Sequence, residues 1–293
     1  MQVIVFGGSG FLGSHVCDKL LDAGHDVTIY DIEESFYRTP EQKIIIGNIL
    51  DEEKVRQAVA DKDVIFNYSG LSDIETNTQR PIDAVKTNVL GNSILLEAAR
   101  SADIKRYVFA SSAYVFSGSG IIYRSCKRAC EDFIEDYRKA FGLEYTILRY
   151  GSLYGPRSDE KNSIYRYIKQ ALEQRKIICN GYPDDIREYI HVEDAALMTL
   201  EILDPQYANQ NIILTGKETF KVADFLNMIS EISGGVDIEY RKIDSPFHYK
   251  ITPYTFSPKI GKKLVNNLYM DIGQGLLQLM EEVYKDINGG KLC

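Results

Sequence analysis

The sequence of 293 residues contains no apolar run near the ~20 residues that a membrane-spanning helix needs, so a helical membrane protein is excluded. A surplus of basic residues is missing too. Its 34 Lys and Arg stand against 42 Asp and Glu, for a net charge of −8, and no basic stretch occurs. Nucleic acid and anionic membrane surfaces are therefore not expected partners. Cys-x-x-Cys pairs are absent. The five cysteines, at positions 17, 126, 130, 179 and 293, are odd in number and read as small buried apolar groups or free thiols of a reducing cytoplasm. Cys126 and Cys130 have a helical spacing, but no histidine lies nearby in sequence, and no metal site is expected. The first apolar strand starts at residue 3, which leaves no room for a signal peptide and makes the cytoplasm the expected location. Low-complexity segments and internal repeats are likewise missing.

What is present starts at that strand. Val3-Ile-Val-Phe6 is an apolar, β-branched run that leads into glycines at 7, 10 and 13 and then a helical pattern of Phe11, Leu12, Val16, Leu20 and Leu21. In such a strand–turn–helix, Gly7 permits the tight turn and Gly10 lets backbone approach a pyrophosphate. Gly13 lets the helix pack close to the strand. The helix start then offers N–H groups and a positive dipole end to phosphates. Asp31 ends the next strand, where a carboxylate accepts from the adenosine ribose hydroxyls and repels a 2′-phosphate, selecting NAD over NADP. The plainer reading of Asp31 is a turn or cap aspartate. Together these residues predict a dinucleotide site.

Strands read at 25–31, 43–47, 63–68, 106–111 and 144–149, with helical periodicity at 51–61, 84–103 and 127–141. Alternation with short connectors predicts an α/β fold, a doubly wound parallel sheet with helices on both faces. After Gly155-Pro156-Arg157 the pattern loosens: helices fit 162–175, 191–204, 221–233 and 273–287, and a strand fits 211–215. The expected organisation is a dinucleotide-binding domain over 1–157 and a smaller substrate domain over 158–293, from which a strand can rejoin the main sheet.

The chemistry is expected beyond the strand at 106–111, because ligands of open parallel sheets bind past the strands' carboxyl ends. That strand ends in Ser111 and Ser112. Tyr123 and Lys127 follow, four residues apart and so on one helical face. A phenol of pKa about 10 is a poor base at neutral pH; lowering it by about three units takes roughly 4 kcal/mol of preferential phenolate stabilisation. The Lys127 ammonium and a nicotinamide cation can supply this, while Ser112 holds the substrate oxygen. An amphipathic helix with an incidental tyrosine is the plainer alternative.

The glycine spacing, the serine-ended strand and Tyr123-x-x-x-Lys127 resemble the extended short-chain dehydrogenases, in particular the NAD-dependent sugar-nucleotide epimerase/dehydratase family. The similarity extends through Gly47-Asn48-Ile49-Leu50-Asp51, Asn88-Val-Leu-Gly91-Asn92, Leu148-Arg-Tyr150-Gly, Tyr154-Gly-Pro-Arg157 and Arg187-Glu-Tyr-Ile-His191-Val-Glu-Asp194. The resemblance implies that Asn48 and Ile49 meet the adenine and that Tyr68, Ser69 and Gly70 line the pyrophosphate and nicotinamide ribose. It places Asn88, Ser111 and Tyr150 with Phe11, Leu12, Tyr123 and Lys127 about the cofactor. Ser112, Tyr114, Ser152 and Arg187 then meet a nucleoside-diphosphate sugar, Arg187 through the diphosphate; the alternative for Arg187 is an ion pair with Asp185 or Glu188. His191 reads as structural.

The chain also departs from the family pattern. Asn48 replaces an aspartate, Ser152 replaces an asparagine, and the segment between Ser112 and Tyr123 is short. Ala113-Tyr114 stands where dehydratases carry two carboxylates and decarboxylases a glutamate. The expected activity is thus NAD-dependent epimerisation of a nucleoside-diphosphate sugar at C4 through a 4-keto sugar. Alternatives are a 4-keto-sugar reductase that exchanges its cofactor and a nucleotide-sensing protein without turnover. A homodimer through helices 84–103 and 127–141 is also implied, with Leu95, Leu96, Ala99, Phe133, Tyr137 and Phe141 as candidate apolar stripes.

Overall fold

The computed structural model describes residues 1–241, 250, 262–264 and 270–289; Cys293 lies outside them. Its first half alternates β1 (Gln2–Phe6), α1 (Phe11–Asp22), β2 (Asp26–Asp31), β3 (Lys43–Ile46), α2 (Glu52–Val59) and β4 (Val64–Asn67). Helices α3 (Ile74–Gln79), α4 (Pro81–Ala84) and α5 (Gly91–Ser101) follow, a π-helical segment, Val85–Leu90, joining the last two. Then come β5 (Arg106–Ser112), α6 (Ile121–Phe141), β6 (Tyr145–Tyr150) and β7 (Ser152–Tyr154). The second half holds α7 (Ser163–Gln174), β8 (Lys176–Asn180), β9 (Ile186–Arg187), β10 (Tyr189–His191), α8 (Val192–Glu201) and β11 (Gln210–Leu214). It ends with β12 (Phe220–Lys221), α9 (Val222–Ile232), β13 (Asp237–Arg241), β14 (Lys262–Lys263) and α10 (Ile272–Ile287).

Eight strands form one sheet in the order β14-β11-β6-β5-β4-β1-β2-β3, every neighbouring pair parallel. Its middle strands are apolar on both sides because both faces are covered. Val3, Val5, Val27, Phe66 and Leu148 point into one core with Val16 and Leu20 of α1 and Ala195 and Ala196 of α8. Ile4, Phe6, Ile65, Phe109 and Ile147 point into the other, with Val55 of α2, Leu95, Leu96 and Ala99 of α5, and Ile134 of α6. These last three residues of α5 are fully buried against the chain's own sheet, so they cannot serve as a free stripe. Phe133 and Phe141 are exposed instead.

The expected strand at 211–215 does rejoin the main sheet, as β11 beside β6. A third core, around Ile168, Phe225, Leu226, Ile229, Leu276 and Val283, belongs to the segments beyond Tyr154. Helix α6 starts at Ile121, six residues earlier than its periodicity suggests, and α3, β8 and β13 are present in addition to the expected elements. No helix among the described residues is long and apolar enough to cross a membrane, and no cluster there could hold a metal ion.

Candidate active site

The order of the sheet reverses between β1 and β4, and the carboxyl ends of these strands carry the two loops that the sequence marked. Open parallel sheets bind ligands in that crevice. Gly7 has φ +78°, and a Cβ on it would lie 2.6 Å from the Ser69 amide nitrogen. A Cβ on Gly13 would lie 2.1 Å from the Gly7 carbonyl oxygen, so the helix and the turn touch backbone to backbone. At Gly10 the nearest atom would be 3.4 Å away, which leaves room on that side. Helix α1 then starts at Gly10 with no side-chain cap and no acid in its first turn, Phe11 and Leu12 being its first residues. By contrast α2, α3, α7 and α10 are capped by Asp51, Asp73, Asn162 and Asp271. The uncapped amides of α1 and a turn of three glycines, whose Ser9 hydroxyl is turned onto the Glu33 carbonyl, suit the two phosphates of a dinucleotide.

Asp31 Oδ2 accepts from the Ser9 amide at 2.9 Å and Oδ1 from the Ile32 amide at 2.7 Å. The carboxylate thereby braces the glycine loop besides standing at the end of β2. Asn48 Oδ1 accepts from the Leu50 amide at 2.9 Å, a local turn, and Ile49 is buried beside Gly91. Tyr68, Ser69 and Gly70 do form the loop beyond β4. Ser69 is fixed by Asn67 Oδ1, which accepts from both its amide and its hydroxyl, at 3.2 and 2.6 Å. Gly70 has φ +139°, with the Asn88 Oδ1 2.5 Å from where a Cβ would stand.

Two residues expected at the cofactor have other partners. Asn88, carried inward by the π-helical segment, accepts from the Leu71 amide at 2.7 Å and donates to the Leu71 carbonyl at 3.2 Å and Asn77 Oδ1 at 3.0 Å. It clamps the loop 68–71 from behind. Ser111 donates its hydroxyl to Glu131 Oε1 at 2.6 Å, on the side of the strand opposite Ser112, because successive strand residues face opposite sides.

The remaining candidates meet along the sheet's carboxyl edge. The Tyr68 and Tyr150 hydroxyls are 3.1 Å apart, and Tyr150 reaches the Thr199 hydroxyl at 2.6 Å. Thr199 gives its own proton to the Ala195 carbonyl at 2.7 Å, so the proton direction runs from Tyr68 through Tyr150 to Thr199. Burial holds both phenols well above the usual tyrosine range. Tyr150 pairs in register with Ser112, the last residue of β5. Ser112 Oγ accepts from the Tyr114 amide at 3.3 Å, and the Tyr114 ring stands edge-on to Tyr123 with centroids 6.3 Å apart. Lys127, one turn along α6, is buried, with Nζ 5.8 Å from the Tyr123 ring centroid and 4.8 Å from that of Phe109. It donates to the Ala110 carbonyl at 2.8 Å. Burial lowers its pKa from the ordinary lysine value, against the opposing pull of Cys130, Cys126 and Glu131. Gly120 (φ +84°) and Ile121 (φ +38°) make the sharp turn that launches α6 two residues before Tyr123.

The expected substrate contacts lie beyond β6. The Ser152 amide donates to the Glu188 carbonyl at 3.3 Å, which joins the segment of Ser152 to that of Arg187. Arg187 lies 3.3 Å from Asp185, the ion-pair alternative, and donates to the Ile186 carbonyl at 3.0 Å. His191 caps α8 through Nδ1 and packs edge-on to Tyr154. Burial lowers its pKa to about 4, so it is a neutral structural group, as expected.

Residues 3–215 match the model of the NAD dependent epimerase/dehydratase family. The chain belongs to that family. Among its curated relatives, a "Putative UDP-glucose 4-epimerase" of Methanocaldococcus jannaschii is 30% identical over 242 residues, 74% of this chain and 78% of the relative. A "UDP-N-acetyl-alpha-D-glucosaminuronate decarboxylase" of Bacillus cytotoxicus is 28% identical over 290 residues, 87% and 86% of the two chains. In fold the chain is similar to a UDP-glucuronic acid 4-epimerase of Bacillus cereus solved with UDP-glucuronic acid and NAD, with a TM-score of 0.84, 22% identity and coverage of 97% and 99%. Family membership makes the chain NAD-dependent and fits the crevice at Gly7 and the uncapped start of α1.

Sequence reasoning missed Asn67, Asn77, Thr199, Glu131 and Arg149. The last two had a signal: an arginine inside the apolar strand Tyr145–Tyr150 and a glutamate one turn past Lys127 on the same helix face.

Proposed function

We propose that this protein interconverts the C4 epimers of a nucleoside-diphosphate sugar, a UDP-hexose in the first instance. The observation that carries this reading is the row of neighbours along one sheet edge, from Gly7 through Ser69, Tyr68 and Tyr150 to Ser112, Tyr114, Tyr123 and Lys127. One edge of the sheet thus offers a place for phosphates and a proton-transfer group. Ser112 orients the sugar 4-oxygen. Tyr123 takes its proton, and later returns it, as a positioned general base and acid. Lys127 stabilises the phenolate by its charge. NAD held at the Gly7 turn and the start of α1 would supply the acceptor for the C4 hydride and its donor on return. Arg187 holds the diphosphate with its guanidinium fork, with Ser152 beside it and Tyr114 at the sugar. Asp31 favours NAD by repelling a 2′-phosphate. Of these substrate groups, residues 158–293 contribute Arg187.

Dehydration and decarboxylation are disfavoured at this site. Ser112 is followed by Ala-Tyr-Val-Phe, and the nearby Glu131 is engaged by Arg149 and Ser111. The reading extends to a homodimer, whose contact would use exposed Phe133 and Phe141 of α6 with Ile82, Val85 and Leu90. It also extends to the cytoplasm, where the buried free thiols Cys17, Cys126, Cys130 and Cys179 stay reduced.

The test is turnover of UDP-, GDP- and dTDP-hexoses by the purified protein with no added cofactor. Interconversion of a C4 pair is the expected result. In a second arm supplied with a 4-keto sugar nucleotide and NADH, stoichiometric consumption of NADH would establish the reductase instead; accumulation of a 4-keto-6-deoxy sugar from a hexose nucleotide would overturn the argument from Ala113.

A further inference from the structure

Behind Ser112 lies a charged group that the proposed chemistry does not use. Glu131 and Arg149 are both buried, and they pair through Arg149 Nε to Oε1 at 3.0 Å and Nη2 to Oε2 at 2.8 Å. Glu131 Oε1 also takes the Ser111 hydroxyl at 2.6 Å. Arg149 lies opposite Ser111 in the β5–β6 register, and its guanidinium sits 4.5 Å from the centroid of the Phe116 ring. Ser111 precedes Ser112 and Phe116 ends the 3-10 turn, Ala113–Phe116, that follows it. The ion pair therefore grips the chain on both sides of Ser112. The same helix face carries Tyr123, Lys127 and Glu131 at successive i, i+4 positions, so one rigid helix holds the base, the cation and the grip.

Stability alone does not call for charge here. Two apolar side chains of similar volume generally serve a core as well as a buried ion pair, because both ions lose their hydration. What a bidentate guanidinium–carboxylate pair adds is a fixed direction for each partner. We propose that Glu131 and Arg149 are positioning residues that set where Ser112 presents its hydroxyl to the sugar. This rests on the reading of Ser112 as the group that meets the sugar oxygen.

The test compares Ser111→Ala with the double variant Glu131→Gln/Arg149→Met. The double variant removes both charges together, so no ion is left buried alone. The account expects it to keep its thermal midpoint and its NAD, to lower kcat on UDP-glucose roughly 10- to 100-fold with little change in KM, and to speed amide exchange across residues 110–118. Ser111→Ala keeps the ion pair and should fold normally with a smaller loss of kcat in the same direction. A folded double variant with unaltered kcat and unaltered exchange overturns the proposal. If the double variant does not fold, Ser111→Ala decides, and unchanged kcat and exchange there overturn it equally. If the unaltered protein turns over no UDP-hexose, the functional reading fails by itself. Amide exchange across 110–118 then still decides whether the pair positions this strand end.

Discussion

The two ends of the proposed cleft are built by different means. At the cofactor end, main chain meets main chain: Gly13 rides on Gly7, Gly7 on Ser69, and Asn67 and Asn88 hold the facing loop through its amides and carbonyls. At the substrate end, strands of two and three residues pair only briefly, and side chains add to their hold. β9 pairs with β12 over two residues, Arg187 leans on Asp185, and Glu188 is held by Lys263 at 2.9 Å. A site shaped by backbone admits one ligand geometry and resists substitution. A site shaped by side chains on short segments can change its ligand without disturbing the sheet. That division suits a fold that keeps one cofactor while its substrates vary.

The sharpest way to break this comparison is to add a methyl group at each end. Gly13→Ala puts a Cβ 2.1 Å from a backbone oxygen, and loss of bound NAD or of soluble protein is expected. Gly181→Ala at the substrate end meets nothing closer than 3.6 Å, and its stability should change by less than ~1 kcal/mol. Equal tolerance in a side-by-side purification would remove the distinction.

Next in size is the base itself. Tyr123→Phe should keep the fold and NAD but lower the rate by roughly 10² to 10⁴, read by steady-state turnover. At the substrate end, Arg187→Ala should raise KM for a UDP-hexose roughly 10- to 100-fold by removing a charge-assisted contact. NAD content, measured on the released nucleotide, should not move, and loss of both would mean that the two ends are not separable.

The smallest effect concerns the joint between them. His191 titrates near pH 4 in the folded protein and near 6.5 when unfolded. A native state that resists this proton loses stability as pH falls from about 6.5 towards 4, and loses nothing further above that range. His191→Asn can still cap α8 and should shrink the stability difference between pH 7 and pH 5 by at most ~2 kcal/mol in denaturant titrations. An unchanged pH dependence would place the titration elsewhere.

The same division governs what the sequence discloses. The β1 strand, glycine turn and α1 are contiguous, and each position is constrained by its neighbours, so pattern and spacing suffice there. The start of α6 is hidden because Ser117-Gly-Ser-Gly120 and two isoleucines read as loop or strand, and Ile121 enters the helix from φ +38°. Strands β9 and β12 are too short to show a period. The face of Ser111 follows from strand alternation once Ser112 is placed in the cleft, but its partner Glu131 is twenty residues away and Arg149 thirty-eight. The π-helical segment that turns Asn88 onto the Leu71 loop reads as part of one regular helix over 84–103, because nothing in the pattern marks its wider turn.

Return of hydride to the carbon it left is the central claim, and isotope tracing tests it most directly. UDP-glucose carrying deuterium at C4 would be incubated with the purified protein in ordinary water without added cofactor, and both sugars analysed by mass spectrometry and NMR. The account predicts that the label stays at C4 in the starting sugar and its epimer while absorbance at the NADH band shows no net change. Loss of deuterium from C4 to the solvent, or net reduction of the bound NAD to NADH with accumulation of a keto sugar, would contradict it.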